Sequence, residues 1–149
     1  MKNRIAGSQS NEAYIRQWQE EEYQTNCSHP ENLQHKSLKG ERLRSKSEVI
    51  IANALYMNHI PYRYECELEL GEVTLYPDFT ILHPETLEVY YWEHFGMMDY
   101  PEYSAKAIKK IAKYEENGYW FGDNFLCTFE TREEPLNMRI VEKMLKHYF

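Results

Sequence analysis

Two acids lie in the most apolar and aromatic parts of this chain, and they limit what it can fold into. Asp78 falls within Tyr76-Pro77-Asp78-Phe79-Thr80, and Glu93 within Tyr91-Trp92-Glu93-His94-Phe95-Gly96. A carboxylate taken out of water is costly unless it is paired, hydrogen-bonded or bound to a cation. Two of them in consecutive strand-like segments therefore point to one shared charge site, for which a divalent metal is the simplest partner.

The segments Tyr62 to Leu70, Glu72 to Leu82 and Leu87 to Phe95 read as strands, separated by Gly71 and by His83-Pro84-Glu85-Thr86. Their short connections predict an antiparallel meander. Side chains alternate along a strand, so Tyr76, Asp78, Thr80 and Leu82 share one face, as do Val89, Tyr91, Glu93 and Phe95. Asp78 and Glu93 can then face the same side.

Upstream, a helix is expected from Ser45 or Ser47 to about Asn58, with either serine able to cap it and Pro61 closing the following turn. Residues three and four apart line one side of a helix, which makes Glu48, Ile51, Ala52 and Leu55 the buried face, with His59 at its end. Glu48 thus joins the core stripe, although an acid in the first turn also complements the helix dipole. If its helix packs on the face that carries Asp78 and Glu93, three acids converge.

Downstream, Pro101 to about Asn117 predicts a long helix closed by Gly118, Phe125 to Glu130 a strand, and Leu136 to Tyr148 a final helix. A helix between the third and fourth strands allows parallel pairing through a crossover. The expected fold is α/β, a mixed four-stranded sheet flanked by helices in the order α-β-β-β-α-β-α, over residues 41–149. Residues 1–40 read as a helical arm, with Tyr14, Ile15, Trp18 and Tyr23 on its helix and Trp18 suited to dock it.

With 149 residues the chain can bury a core as one domain. A net charge of -7 argues against coating nucleic acid by charge alone, so any such contact must be local. Two local basic groups exist, Lys36, Lys39, Arg42, Arg44 and Lys46, and Lys106, Lys109, Lys110 and Lys113. The three cysteines are widely spaced, without a C-x-x-C pair, a reduced intracellular pattern rather than a disulfide or zinc framework. The first residues lack the apolar run of a signal peptide, and no segment reaches the ~20 apolar residues of a membrane span, so a cytoplasmic location without membrane contact is expected.

Convergent Asp and Glu oxygens without Cys ligands select a hard cation, Mg²⁺ or Mn²⁺. Such an ion ligates phosphate oxygens, activates a water and stabilises a leaving oxygen. A nearby lysine would hold the scissile phosphate or the attacking water. Tyr103, Ala107, Lys110, Ile111 and Tyr114 share one face of the long helix, with Lys106 at its border, so Lys106 or Lys110 can reach over the sheet. Read by spacing alone, both are also ordinary exposed lysines.

Ser47-Glu48 on a helix, Pro77-Asp78 in a strand and Glu93 in the next strand resemble the PD-(D/E)xK nuclease superfamily, the restriction-endonuclease-like fold. The likeness covers roughly residues 42–149. Arg44-Ser45-Lys46-Ser47-Glu48, Tyr76-Pro77-Asp78-Phe79 and Trp92-Glu93-His94-Phe95-Gly96 together are similar to a branch of uncharacterised bacterial proteins in that superfamily. The resemblance implies metal-dependent phosphodiester hydrolysis, in DNA or less often RNA. It implies Asp78 and Glu93 as metal ligands, Glu48 as the acid of the first helix, and the His94 backbone carbonyl as a further ligand.

The departure is at the lysine, expected two residues after Glu93, where this chain has Phe95. Either Lys106 or Lys110 takes that role, or the fold has kept binding to nucleic acid or a protein and lost its chemistry. The His94 side chain should point to the opposite face from Glu93. Tyr90, Tyr91 and Trp92 are expected in the sheet core, and the Tyr119-Trp120-Phe121 cluster against the end of the long helix.

Overall fold

The structure is a computed structural model that describes residues 4–149, with side chains from residue 11 onward. Residues 1–3 of the expected arm lie outside the described residues. The chain runs through α1 (Arg4–Glu20), a 3-10 turn, the short strands β1 (His35–Lys36) and β2 (Arg42–Leu43), and α2 (Lys46–Met57). Five strands follow: β3 (Tyr62–Tyr64), β4 (Leu68–Leu70), β5 (Val73–Leu75), β6 (Phe79–Leu82) and β7 (Val89–Phe95). The chain ends with α3 (Pro101–Glu116), β8 (Phe125–Phe129) and α4 (Met138–Tyr148).

The central sheet has four strands in the order β3-β6-β7-β8. β3, β6 and β7 pair antiparallel, and β7 pairs with β8 in parallel across the α3 crossover. A mixed four-stranded sheet flanked by helices is thus present, but the first two expected strands are each broken in two. Glu65, at φ 50, cannot continue β3, and Pro77 has no N–H with which to continue β5 into β6. The pieces between the breaks, β4 and β5, pair only with each other as a separate hairpin.

Alternation divides the core into two layers. Phe79, Ile81, Trp92 and Leu126 face α2 and α4, where Ile51, Ala52, Leu55, Val141 and Leu145 are buried against them. Phe95, Phe125 and Cys127 face the other way, against Ala107 and Tyr114 of α3. A side chain as fully buried as Trp92 contributes roughly 1.5–3 kcal/mol by leaving water, so the two layers fix which face each strand residue presents.

Helix ends follow the local chemistry. Ser45, not Ser47, caps α2, its side chain accepting from the Glu48 N–H. The helix stops at Met57, which leaves His59 exposed at φ 57 instead of on the buried stripe. On α3, Pro101 opens the first turn and Gly118, at φ 86, closes a Schellman end with Gly118 N–H bonded to the Glu115 carbonyl and Tyr119 N–H to that of Tyr114. Trp18 is buried where α1 meets the sheet: the Arg63 guanidinium lies 4.2 Å over its ring and bonds its carbonyl at 2.8 Å. No described helix is long and apolar enough to cross a membrane.

Candidate active site

Asp78 immediately precedes β6, and Phe79 pairs with Trp92. Continued by one residue, that register sets Asp78 opposite Glu93, on the face covered by α3. One residue further, Pro77 stands opposite His94. Proline has no N–H to give, so the His94 carbonyl receives no ladder bond from this strand. The His94 N–H turns to the Asp78 side chain, donating to Oδ2 at 2.7 Å. Pro77 thus explains both the fixed carboxylate and the spare carbonyl beside it.

Glu93 is fully buried, and both of its oxygens are engaged. Lys110 Nζ lies 2.6 Å from Oε2, and the Tyr114 hydroxyl donates to Oε1 at 3.0 Å. Lys110 and Tyr114 stand one helical turn apart on α3, so one helix face supplies the cation and the hydroxyl together. Asp78 has no ion-pair partner of its own among the described residues. A cavity of about 240 Å³ opens over the pair, lined by Asp78, Glu93, Phe95, Tyr103, Lys106 and Lys110. Lys106 is exposed at the rim, and the Tyr103 hydroxyl accepts from the Gly96 N–H at 3.0 Å.

Glu48 reaches the same region from the other layer. Its Oε1 accepts from the Tyr64 hydroxyl at 3.0 Å and from the Arg44 N–H at 3.2 Å. The Arg44 side chain is taken up by Glu65 at 2.6 Å. Burial, with the neighbouring charges of Glu93 and Glu48, pushes the Asp78 carboxyl well above the usual range. Burial also raises Glu93, and Lys110 works against that rise. For Lys110 burial disfavours the charge, but Glu93 and Asp78 outweigh it and hold the ammonium above its ordinary pKa. With both acids ionised the site would carry more negative charge than the partly buried Lys110 balances, which adds to burial in raising the Asp78 carboxyl.

The donors suit a hard cation, since all are oxygens. Asp78 Oδ1 and Glu48 Oε2 accept no hydrogen bond among the described residues, and the His94 carbonyl is unpaired on the β6 side. As the side chains stand, no three His, Cys, Asp or Glu among the described residues gather closely enough to hold an ion. The convergence of three acids expected from the sequence is one of region and field, with Glu48 bound into the other layer. An ion would draw on Asp78, the His94 carbonyl and a Glu93 released by Lys110.

Glu130 directly follows β8, and spacing alone does not mark it as a site residue. The His94 side chain points to the α2 and α4 layer, as alternation requires, and bonds Thr128 Oγ1 at 2.7 Å and Glu130 Oε1 at 2.6 Å. Ser47 donates to the same Glu130 oxygen, and the Leu136 N–H to the other at 3.0 Å. Ser47, His94 and the Leu136 N–H outweigh partial burial and hold the Glu130 carboxyl below the usual range. This network ties the start of α2, and so Glu48, to the strand that carries Glu93. Its sequence signal is the period-two spacing of Thr128 and Glu130; the β7–β8 register sets Thr128 opposite His94. The aromatic expectations divide: Trp92 is buried and Tyr119 packs on Tyr91 and Tyr114, but Trp120 and Phe121 are exposed.

A helix-flanked mixed sheet with a carboxylate pair and a lysine in a shared cavity defines the chain only as an α/β protein with a charged candidate site. No protein-family model matches the chain, and no solved structure matches it. It is similar to an uncharacterised protein of Methanocaldococcus jannaschii, at 27% identity over 128 residues. The match takes in 76% of this chain and 11% of the archaeal protein, so the chain spans about a ninth of that relative's length.

Proposed function

We propose that the chain is a metal-dependent nuclease with a restriction-endonuclease-like core, hydrolysing phosphodiester bonds in DNA, with RNA as the lesser substrate, in the cytoplasm. The observation that carries this reading is the Asp78–Glu93 pair across β6 and β7 with Lys110 2.6 Å from Glu93. Within the resemblance to the PD-(D/E)xK superfamily, Lys110 supplies from α3 the ammonium that Phe95 cannot supply from β7. Asp78, Glu93 and the His94 carbonyl would hold Mg²⁺ or Mn²⁺, with Glu48 beside them. When bound, the ion supplies Lewis-acid polarisation of a phosphate oxygen and a water acidic enough to attack.

The chain's own groups account for the remaining work. Lys110, once displaced from Glu93, is placed to hold the attacking water or the scissile phosphate. Lys106 at the rim offers a second charge to the neighbouring phosphate. Tyr114 keeps Glu93 oriented while Lys110 moves, and Phe95 and Tyr103 narrow the cavity against bulk water.

The test is incubation of purified protein with plasmid, linear and single-stranded DNA and with RNA, in Mg²⁺ or Mn²⁺. Cleavage should need the metal and be lost in Asp78→Ala and Glu93→Ala; absence of cleavage on every substrate ends the proposal. The saturation of Glu93 by Lys110 and Tyr114 favours one rival, a module on the same fold that binds without cutting. In that case binding persists in both alanine variants.

A further inference from the structure

A row of aromatic rings leads from the candidate cavity to solvent. Phe95 lines the cavity and is buried, and Phe129, its partner in the β7–β8 register, stacks on it at 5.6 Å between centroids and 16° between planes. Phe121 continues the row, 6.4 Å from Phe129 and 33° from its plane. Phe129, Phe121 and the adjoining Trp120 are 44%, 53% and 58% exposed. Single exposed apolar residues are ordinary, but Phe129 on the edge strand β8 with Phe121 tilted beside it, and Trp120 exposed next to Phe121 in sequence, are a liability unless something covers them.

Cationic side chains lie at the inner end of this row and on the elements next to it in sequence. Lys106 stands at the rim of the cavity where the row begins, and Lys109 is exposed on the same helix. Arg132, three residues beyond Phe129, is held over the Tyr100 ring at 5.5 Å. Flat apolar faces beside separate positive charges match the chemistry of unpaired bases on a phosphate chain. A duplex hides its base faces and is held mainly through phosphates, which a chain of net charge -7 is poorly equipped to grip.

We infer that Phe129, Phe121 and Trp120 form a stacking platform for single-stranded nucleic acid, delivering an unpaired strand to the Asp78–Glu93 cavity. This deepens the nuclease reading and rests on it for the purpose of the platform, though not for binding itself. Phe95 then has a positive role: it is the inner end of the platform, at the position where the superfamily pattern has its lysine.

The experiment is fluorescence anisotropy with labelled oligo-dT, oligo-U and a DNA hairpin duplex, in EDTA and at two salt concentrations. Oligo-dT or oligo-U should bind at least tenfold more tightly than the duplex. Trp18 and Trp92 are buried, so quenching of tryptophan emission on binding reports Trp120. The double variant Trp120→Ala, Phe121→Ala, altered only at exposed positions, should lose roughly 5- to 150-fold in affinity for the single strand, the range expected for one lost stacked base.

Equal affinity for duplex and single strand, or an unchanged affinity in the double variant, overturns the inference. So does concentration-dependent dimerisation abolished by the same variant without oligonucleotide binding, which would assign the rings to a second copy of the chain. Because binding is read without divalent metal, a failure of cleavage removes the nuclease reading alone and leaves the platform standing.

Discussion

Replacing Lys110 with methionine isolates the electrostatics of the site. The substitution keeps the apolar stem on α3 and removes the ammonium, leaving Glu93 buried with only the Tyr114 hydroxyl as partner. Removing one member of a buried pair costs about 3–5 kcal/mol, and partial exposure of Lys110 places the loss near the lower end, about 3 kcal/mol. For a chain of this size that is a fall in Tm of about 6–12 °C. The loss depends on pH. Glu93 is already shifted upward in the folded state, and without Lys110 it moves further, so the folded protein takes up a proton that the unfolded chain releases. Stability tied to a raised carboxyl is present below its unfolded pKa and is lost as pH rises through the folded value. Lys110→Met should therefore be hurt far more at pH 8 than at pH 5. Urea unfolding at both pH values measures this, and adding Glu93→Gln to Lys110→Met should restore most of the stability at pH 8. If the penalty is the same at both pH values, or below about 1 kcal/mol, or is not relieved by Glu93→Gln, then Lys110 does not neutralise Glu93 as described.

Two further substitutions separate function from stability. Asp78→Asn keeps an oxygen for the His94 N–H and removes a charge that burial, Glu93 and Glu48 all oppose. It should raise Tm without metal while abolishing the cleavage and the Mn²⁺ stabilisation expected of the parent, read by a cleavage assay and a thermal-shift series. Glu130→Gln weakens the charge-assisted bonds from Ser47, His94 and the Leu136 N–H, by about 1.5–3 kcal/mol at pH 7. The Glu130 carboxyl is held low, so its contribution is present above the ordinary carboxylate range and disappears as pH falls through the lowered value. The difference between parent and variant in urea unfolding should shrink towards pH 3, and a constant difference would refute the assignment.

What the sequence disclosed, and what it hid, follows from the range of the forces involved. Alternation needs only the next residue, so it placed Asp78 and Glu93 on one face and the His94 side chain on the other. Helix caps are equally local, and Pro101 and Gly118 marked the ends of α3. The breaks at Glu65 and Pro77 were less legible. A left-handed glutamate is not a residue preference, and the proline's effect depends on which strand lies opposite. The side on which Glu48 lies stayed open for a related reason: periodicity identifies the buried face of α2, which includes Glu48, but not the side of the sheet that this face meets. The lysine shows the same division. Spacing put Lys106 and Lys110 on or beside the inner face of α3, and only the tertiary approach of α3 to β7 selected Lys110 for Glu93. Alternation put Phe95 on the face of Glu93, but what it packs against could not be read from its own strand. Its neighbour across the parallel pair is Phe129, 34 residues away, and the ring row they share ends in Phe121, which the sequence alone assigned to packing. Phe95 thus gains meaning from the edge strand beside it, where Phe129 extends its position outwards to solvent.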